Sequence, residues 1–184
     1  KMNSLALCSL LLTLCFFLFA HSPSLTNARD LGDGSDLIAQ LCNENPEKKI
    51  ECSNVLRADP KVLSAKNFFE LAEAILELGL KKGIEGKNFL KGLMVKTKKD
   101  VPTIEGCEIY YESTVDSFRN SLIKLKDDPR IANYLADVAG DGPKSCEADL
   151  SAAHIANREI SDLNHQTDFL SYLAFFATAR LVKA

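Results

Sequence analysis

The cysteines are the residues whose type and spacing point most directly to chemistry. Two of the six, Cys8 and Cys15, fall in an apolar N-terminal stretch, and the other four lie further along the chain, at Cys42, Cys52, Cys107 and Cys146. An even number of cysteines in an exported chain indicates two disulfides, for which three pairings are possible. Local pairing, first with second and third with fourth, is the simplest because each bridge then closes a loop between neighbouring elements.

Zinc binding is the alternative use of four cysteines. Structural zinc sites place cysteines in close pairs such as Cys-x-x-Cys, often together with histidines. No such pair is present in the sequence, and the 3 histidines are scattered along the chain. We therefore expect no metal site.

The side chains that commonly catalyse reactions lack the partners that catalysis needs. Beyond the N-terminal stretch the histidines are His154 and His165, and neither belongs to a Ser-His-Asp order, an HExxH helix or a Gly-rich phosphate loop. Oxidised cysteines leave no thiol nucleophile. Helix capping or solvation explains carboxylate pairs such as Asp127 and Asp128 better than acid–base catalysis does. The sequence therefore predicts a binding protein without catalytic residues or cofactors, rather than a hydrolase.

The N-terminal stretch is typical of a secretory signal peptide. A basic start is followed by an uncharged apolar run from Leu5 to Ala20, which is short for a bilayer span of about 20 residues. Small residues follow, with a cleavage site after Ala28. An uncleaved N-terminal anchor is the alternative. The interpretation predicts a signal peptide over residues 1–28 and a secreted domain over residues 29–184 that does not contact the membrane once the signal is removed.

Length and charge exclude some classes of protein. The 184 residues fit one domain, and 22 Lys and Arg against 25 Asp and Glu give a formal net charge of -3, which does not favour nucleic acid as a partner. Lysines cluster between Lys81 and Lys99. This cluster either contacts an acidic surface or is a solvated end of the domain, and it lacks the interleaved aromatic residues of a nucleic-acid groove.

Two short helical patterns precede the longer ones. The first runs from Asp36 to Cys42, and the second passes through Cys52 and carries Ile50, Val55 and Leu56. Pro46 marks the turn between them, and Asp59-Pro60 ends the second. A bridge between Cys42 and Cys52 would fasten the two into an N-terminal helical hairpin.

Four longer helices are predicted after Pro60. The first, capped by Ser64 or Asn67, has apolar residues at helical spacing from Phe68 to Leu78. Glycines then predict a bend or an early end, since each costs about 1 kcal/mol relative to Ala in a helix; they are Gly79, Gly83, Gly86 and Gly92. The second helix shows the clearest seam, with steps of three and four residues: Ile104, Cys107, Tyr111, Thr114, Phe118, Leu122 and Leu125.

The third helix begins with Asp128 as its cap and Pro129 in its first position, and it is expected to extend to Leu150. Its large apolar residues are Ile131, Tyr134, Leu135 and Val138. The fourth helix, capped by Asp162 or Asn164, is apolar to Leu181. Because β-branched residues are few and do not alternate, no strand is predicted. The fold class is all-α: an up-and-down four-helix bundle with an N-terminal helical hairpin and two disulfides.

The cysteine framework and its neighbours resemble the plant invertase and pectin methylesterase inhibitor family over residues 36–184. At the start the matching residues are Leu41-Cys42, a short loop to Cys52, and then Val55-Leu56-Arg57-Ala58-Asp59-Pro60. Later they are Cys107 with Tyr111 four residues on, and Cys146-Glu147-Ala148-Asp149-Leu150 before the apolar C-terminal helix. The resemblance implies a helical hairpin followed by a four-helix bundle, with disulfides Cys42–Cys52 and Cys107–Cys146.

The same resemblance implies a function. Family members bind one target enzyme molecule and block access to its active site, in the plant cell wall or, alternatively, the vacuole. Invertase inhibitors resemble a plug whose interhelical loop offers Pro-Lys-Phe to the acidic sucrose site. Here the corresponding residues are Asp128, Pro129, Arg130 and Ile131. Arg130 stands in the place of the motif's Lys and is also a cation, whereas Ile131 stands in the place of the aromatic Phe. A cap with a solvated arginine is the alternative interpretation of these four residues.

The target is predicted to be an acid invertase, because Arg130 is kept and because Asp137-Val138-Ala139 is closer to the invertase-type branch. A pectin methylesterase inhibitor, which would contact its target along helix faces, is the alternative. A helical binding or storage protein without an enzyme target is the alternative from another class.

Overall fold

All regular structure in the described part of the chain is helical. The computed structural model describes residues 32–97 and 100–182. The helices in chain order are α1 (Gly32–Cys42), α2 (Lys49–Arg57), α3 (Pro60–Leu63), α4 (Phe68–Lys96), α5 (Val101–Lys124), α6 (Pro129–Val138), α7 (Asp141–Ala152) and α8 (Arg158–Val182), with a 3₁₀ turn at Pro46–Lys48. The predicted all-α class is confirmed. The predicted signal peptide, residues 1–28, and the start of the secreted domain at residue 29 lie outside the described residues and stay predictions.

Four antiparallel members form the bundle: α4, α5, the pair α6 and α7, and α8. Gly79 faces Phe118, whereas Gly86, seven residues later on α4, faces Tyr111, seven residues earlier on α5. On α5, the Ser121 hydroxyl contacts the start of α6, while Cys107 is bridged to α7. α8 runs back along α6 and α7 in the same antiparallel manner. The predicted up-and-down topology is confirmed.

The third member of the bundle is broken into two helices, so the prediction of one helix reaching Leu150 is wrong. In a continuous helix the N–H of residue 143 would donate to the Ala139 carbonyl, but Pro143 has no N–H. The Thr114 hydroxyl of α5 donates to that carbonyl instead, at 3.0 Å. Gly142 packs so closely on α5 that an added Cβ would lie 2.5 Å from the carbonyl oxygen of Tyr110. The break therefore brings α7 against α5.

α4 continues through its glycines for 29 residues, so the predicted early end is wrong, whereas the predicted bend stays a prediction. Gly79 and Gly86 lie under the rings of Phe118 and Tyr111, where an added Cβ would stand only 2.4 Å from the nearest ring carbon. Between them, Gly83 faces Val115 of α5. The contact that these glycines allow with α5 offsets their low helix propensity.

The N-terminal hairpin is present and docks on α8. Cys42 at the end of α1 is bonded to Cys52 in α2, with the two Cα atoms 5.6 Å apart. The Lys48 ammonium lies 4.6 Å from the centroid of the Tyr172 ring on α8, a favourable cation–π geometry. Leu56 is fully buried, whereas Ile50, on the opposite side of α2, is 78% exposed. The hairpin therefore uses one face of α2 to join the bundle.

The cap of α8 differs from the prediction. The helix begins at Arg158, and the Asn157 side chain accepts a hydrogen bond from the Ile160 N–H at 3.2 Å. Asp162 and Asn164, the predicted caps, lie inside the helix, and Asn164 is buried. At α4, one of the two predicted caps is observed: Asn67 accepts from the Glu70 N–H at 3.0 Å.

Both disulfides of the described chain follow the local pairing. Cys107 and Cys146 join α5 to α7, with their Cα atoms 4.7 Å apart.

Within residues 32–97 and 100–182, no helix combines the length and the apolarity that crossing a bilayer requires.

Candidate functional site

The turn between α5 and α6 is a rigid corner on the surface. The Asp128 side chain accepts a hydrogen bond from the Ile131 N–H at 3.2 Å, and its carbonyl accepts from the Ala132 N–H at 3.0 Å. On the other side of the turn, the Asp128 N–H donates to the Lys124 carbonyl at 2.8 Å. Pro129 occupies the first position of α6, where its fixed φ suits the helix and its missing N–H costs nothing. This corner needs little ordering when it binds another molecule.

Arg130 is one of three exposed cations at this corner without an ion pair among the described residues; the others are Lys124 and Lys126. The Arg130 side chain is exposed and forms no hydrogen bond or ion pair with any residue that the structure describes. The Asp128 carboxylate is oriented by the N–H of Ile131 rather than by Arg130. A guanidinium group left unpaired in this way keeps its planar set of donors for a carboxylate of another molecule.

The large apolar residues of α6 form an outward stripe, which we call the α6 stripe: Ile131, Tyr134, Leu135 and Val138. Ile131 is 43% exposed and Tyr134 is 63% exposed. The buried face of α6 consists of small residues instead, Ala132 and Ala136, and the buried Ala139 follows directly after the helix. A helix that buries alanines and exposes a tyrosine presents apolar surface to a partner rather than to its own core.

Sequence reasoning did not identify Tyr134 as a site residue. The large residues have the i, i+3, i+4, i+7 spacing of a core face, and this spacing favours burial. The three alanines have a similar spacing, at positions i, i+4 and i+7, on the other side of the helix. That second, small-residue face was the available signal, because a helix held closely by two neighbours needs small side chains at the contact.

Two side chains of neighbouring helices and one asparagine of α6 hold this helix in place by hydrogen bonds to backbone carbonyls. The Ser121 hydroxyl of α5 donates to the Ala132 carbonyl at 2.7 Å, and the Ser171 hydroxyl of α8 donates to the Ala136 carbonyl at 2.6 Å. In the other direction, the Asn133 side-chain amide donates to the Phe175 carbonyl at 2.7 Å. The α6 stripe is therefore presented on a fixed helix, which lowers the entropy cost of association.

The lysines between Lys81 and Lys99 do not form one uncompensated patch. Lys82 pairs with Glu85 at 3.4 Å. Lys87 pairs with Glu112 of α5 at 3.0 Å, and this hydrogen bond raises the pKa of Lys87. The other described lysines of the cluster are spread along α4: Lys81, Lys91 and Lys96. Lys98 and Lys99 lie outside the described residues. The alternative of an acidic partner at this cluster gains no support from the arrangement.

The two described histidines lie at a contact between helices and at a helix end. His165 Nε2 lies 3.6 Å from Glu51 Oε1, which links α8 to the hairpin. His154 follows the end of α7 with a φ of 55° and an exposed side chain, as helix-terminating residues often do. Within the described ranges, no group of three or more His, Cys, Asp and Glu side chains could hold a metal ion.

Two solved structures of pectin methylesterase inhibitors from Arabidopsis share this fold. One, a mutant form, superimposes with a TM-score of 0.68 at 15% sequence identity, covering 77% of this chain and 95% of that chain. The other superimposes with a TM-score of 0.60 at 15% identity, covering 80% of this chain and 97% of that chain. No curated protein sequence matches the chain. At this identity the likeness establishes a shared helical-bundle fold.

The sequence itself matches the family described as plant invertase/pectin methylesterase inhibitor over residues 36–174. The chain therefore belongs to the plant invertase/pectin methylesterase inhibitor family. Members of this family are inhibitors rather than enzymes, so this protein is an enzyme inhibitor of the invertase/pectin methylesterase inhibitor type. The disulfides and the family are those of an extracellular protein.

Proposed function

We propose that this protein is a secreted inhibitor that blocks the active site of a plant acid invertase, one inhibitor to one enzyme, through residues 128–131. The observation that carries the proposal is the exposed, unpaired Arg130 on a capped turn. Glycoside hydrolases place two carboxylates around the bond they cleave. A guanidinium on a rigid corner is suited to enter such an acidic site.

The neighbouring residues supply the contact area that a single cation lacks. Ile131 is exposed where the family resemblance implies an aromatic residue, and Tyr134 lies on the same outward side of α6. Partly exposed apolar and aromatic side chains around a charged anchor are typical of binding hot spots, because they exclude water from the charged contact. In this proposal the α6 stripe rests on the rim of the enzyme's active site while Arg130 enters it.

A pectin methylesterase inhibitor is the second candidate function. The observation that favours it is the α6 stripe, which offers a helix face rather than a loop to a partner. The two structures described above also bear the name of pectin methylesterase inhibitors. A helical binding or storage protein without an enzyme target is the third candidate, and it predicts no inhibition of either enzyme.

The test is direct inhibition of both enzymes by one preparation. Oxidised protein, purified from cells expressing the full 184-residue chain, is added to acid invertase and to pectin methylesterase, and both residual activities are measured. We expect loss of invertase activity at an equimolar amount of inhibitor. Loss of pectin methylesterase activity alone would replace the proposal by the second candidate, and loss of neither would replace it by the third.

Two substitutions separate a plug from a helix-face contact. Arg130→Glu is expected to weaken inhibition of invertase by about 30-fold, because it replaces an attraction to buried carboxylates by a repulsion. Tyr134→Ala is expected to weaken it less, by removing apolar contact area at the rim. The inhibition constants of both variants are compared with those of the wild type.

Lys91→Glu is the matched control, because Lys91 is also exposed and has no ion pair among the described residues. It makes the same change of net charge on α4, away from the α5–α6 turn. If Arg130→Glu inhibits as well as Lys91→Glu does, the plug is wrong. If Tyr134→Ala then loses inhibition while Arg130→Glu does not, the target contacts the helix face alone.

A further inference from the structure

The apolar core reaches α6 only through methyl groups. Ala132 and Ala136 are fully buried and belong to the core cluster, whereas none of the four residues of the α6 stripe belongs to it. An alanine side chain extends one carbon beyond the backbone, and the interlocking of packed helices relies on longer side chains that enter holes on the neighbour. Apolar packing therefore defines the rotation of α6 about its own axis only weakly.

Two buried hydroxyl groups reach α6 from two different helices. Ser121 of α5 is fully buried, and Ser171 of α8 is 2% exposed. Their hydroxyls donate to the carbonyls of Ala132 and Ala136, at 2.7 Å and 2.6 Å. These carbonyls are four residues apart, which corresponds to about 6 Å along the helix axis. Two points of attachment at different heights, held by two different neighbours, fix both the rotation and the axial position of α6.

The Ser171 hydroxyl also supplies a donor at the end of α6. The helix ends at Val138, and the last carbonyls of a helix have no intrahelical donor. The N–H of Gly140 donates to the Asp137 carbonyl at 3.0 Å, and the Ser171 hydroxyl lies within hydrogen-bond distance of both the Ala136 and the Asp137 carbonyl oxygens. Because a buried carbonyl without a donor is costly, rotations that break this bond are disfavoured.

The third hydrogen bond of α6 does not replace the bond from α5. The half-buried Asn133 donates to the Phe175 carbonyl of α8 at 2.7 Å. It ties α6 to α8 alone. Among the side chains that the structure describes, Ser121 supplies the hydrogen bond from α5 to a residue inside α6.

A small rotation of α6 displaces the residues that are proposed to contact the target. A helix with its side chains has a radius of about 5–6 Å, so a rotation of about 20° moves the tip of an outward side chain by about 2 Å. Arg130 and Tyr134 are both exposed on this helix. Binding sites need their contact groups held within about 0.5 Å, so a displacement of this size weakens the contact.

We propose that Ser121 and Ser171 are positioning residues of the inhibitor, whose hydroxyls fix the rotation of α6 and thereby place Arg130 and Tyr134 against the target enzyme. The inference rests on the proposed function, because it concerns how the same surface is presented. Both serines are buried, so neither contacts the target itself. Without the hydroxyls, the affinity falls in proportion to the fraction of molecules whose α6 has the competent orientation.

The experiment measures inhibition by Ser121→Ala, Ser171→Ala and the double variant, each purified from cells expressing the full chain. The enzyme is the one that the wild type inhibits. We expect each single substitution to raise the inhibition constant about threefold and the double substitution to raise it about tenfold, as when about one molecule in ten has a competent α6. Should the double variant fail to fold, the two single variants carry the same comparison.

Ser117→Ala is the matched control. Ser117 lies one turn before Ser121 on α5, is also buried, and forms no hydrogen bond with a described residue. The same substitution on the same helix therefore removes a buried hydroxyl without releasing α6. This variant is expected to inhibit as the wild type does.

Two further readouts separate positioning from a general loss of stability. All inhibition constants are measured at a temperature at which thermal unfolding shows every variant to be folded, and amide hydrogen exchange is expected to accelerate in α6 but not in α4 of the double variant. The serine substitutions are also made in the Arg130→Glu background. There the double substitution should weaken inhibition by clearly less than tenfold, because one of the contacts that it misplaces is already lost.

The possible results distinguish this inference from the proposed function. If the double variant inhibits as well as Ser117→Ala does, or loses the same factor in the Arg130→Glu background, the inference is overturned and the proposed function stands. If the wild type inhibits neither enzyme, the proposed function is overturned, and the role of the two serines in inhibition is overturned with it.

Discussion

At the scale of single residues, Tyr111 shows how a polar group is accommodated in the bundle core. Its side chain is fully buried, and its hydroxyl donates to Asn164 Oδ1 at 3.0 Å. The Asn164 amide donates in turn to Glu147 Oε2 at 2.9 Å, and the Ser161 hydroxyl donates to the other oxygen of Glu147 at 2.9 Å. Burial raises the pKa of Tyr111 well above its ordinary value of about 10. The network keeps the phenol neutral and joins α5, α7 and α8.

This shift of the Tyr111 pKa makes the protein's stability depend on alkaline pH. The folded-state pKa lies above the unfolded-state pKa, so above pH 10 the unfolded chain loses the phenol proton while the folded chain keeps it. Stability therefore falls as the pH rises beyond 10. Tyr111→Phe lacks this contribution. Between pH 10 and 11 its free energy of unfolding should therefore fall by up to about 1.4 kcal/mol less than that of the wild type.

Urea unfolding at pH 7, 10 and 11 measures this difference. At pH 7, Tyr111→Phe is expected to be less stable than the wild type by about 1–2 kcal/mol, because Asn164 loses a buried donor. Tyr134→Phe, which removes an exposed hydroxyl, is the matched control. If the free energies of unfolding of the wild type and Tyr111→Phe fall in parallel from pH 7 to 11, the raised pKa of Tyr111 is contradicted.

At the scale of elements, the contact between α4 and α5 decides what the glycines of α4 do. Gly79 and Gly86 lie against fully buried rings, whereas Gly92 has no atom within 4 Å of an added Cβ. The three residues share a helix and an amino-acid type, so they form an internal comparison between helix propensity and packing.

Substitution by alanine is expected to have opposite effects at the two kinds of position. Gly79→Ala and Gly86→Ala should each lower the free energy of unfolding by about 1–3 kcal/mol, because a methyl group would overlap a ring that has no room to move. Gly92→Ala should raise it by about 0.5–1 kcal/mol through helix propensity alone. Urea denaturation of the three variants measures the differences. Stabilisation by all three would mean that α4 and α5 are not closely packed.

The hairpin shows that short helices can depend on docking for their stability. Its short helices gain stability from docking on α8 rather than from their own length, since isolated helices this short are marginal in water. Arg180 of α8 pairs with Glu44, which lies in the turn of the hairpin between α1 and α2. This ion pair joins the hairpin to α8.

At the scale of the whole molecule, the two disulfides constrain different parts of the chain. Cys42–Cys52 closes a loop with a sequence separation of 10 inside the hairpin, and Cys107–Cys146 closes one of 39 between two members of the bundle. In the chain-entropy model, the longer loop restricts the unfolded chain more strongly. The second bridge is therefore the larger global constraint.

Removing the bundle disulfide is expected to destabilise the molecule. The double variant Cys107→Ala/Cys146→Ala should lower the free energy of unfolding by about 2–4 kcal/mol. Cys42→Ala/Cys52→Ala should lower it less and should mainly loosen the hairpin. Chemical denaturation and amide hydrogen exchange measure the two effects. A larger loss of global stability from the hairpin variant would reverse this assignment.

The sequence by itself determined the helical class, the bundle topology and the corner at Asp128 and Pro129. The helical class and the corner depend on residues close together in the chain: a seam with steps of three and four residues on α5, and a cap followed by proline. Neighbours within about four residues decide such patterns, so they can be predicted without knowing the rest of the molecule.

Only the tertiary structure decided the features that depend on residues far apart in the chain. The continuity of α4 rests on Phe118 and Tyr111, and the outward position of Tyr134 rests on the side chains of α5 and α8 that hold α6. In both cases helix propensity or apolar spacing favoured another outcome, and close packing between helices outweighed it. The unpaired state of Arg130 has the same kind of cause, because ion pairing depends on which distant residues lie beside it in the folded molecule.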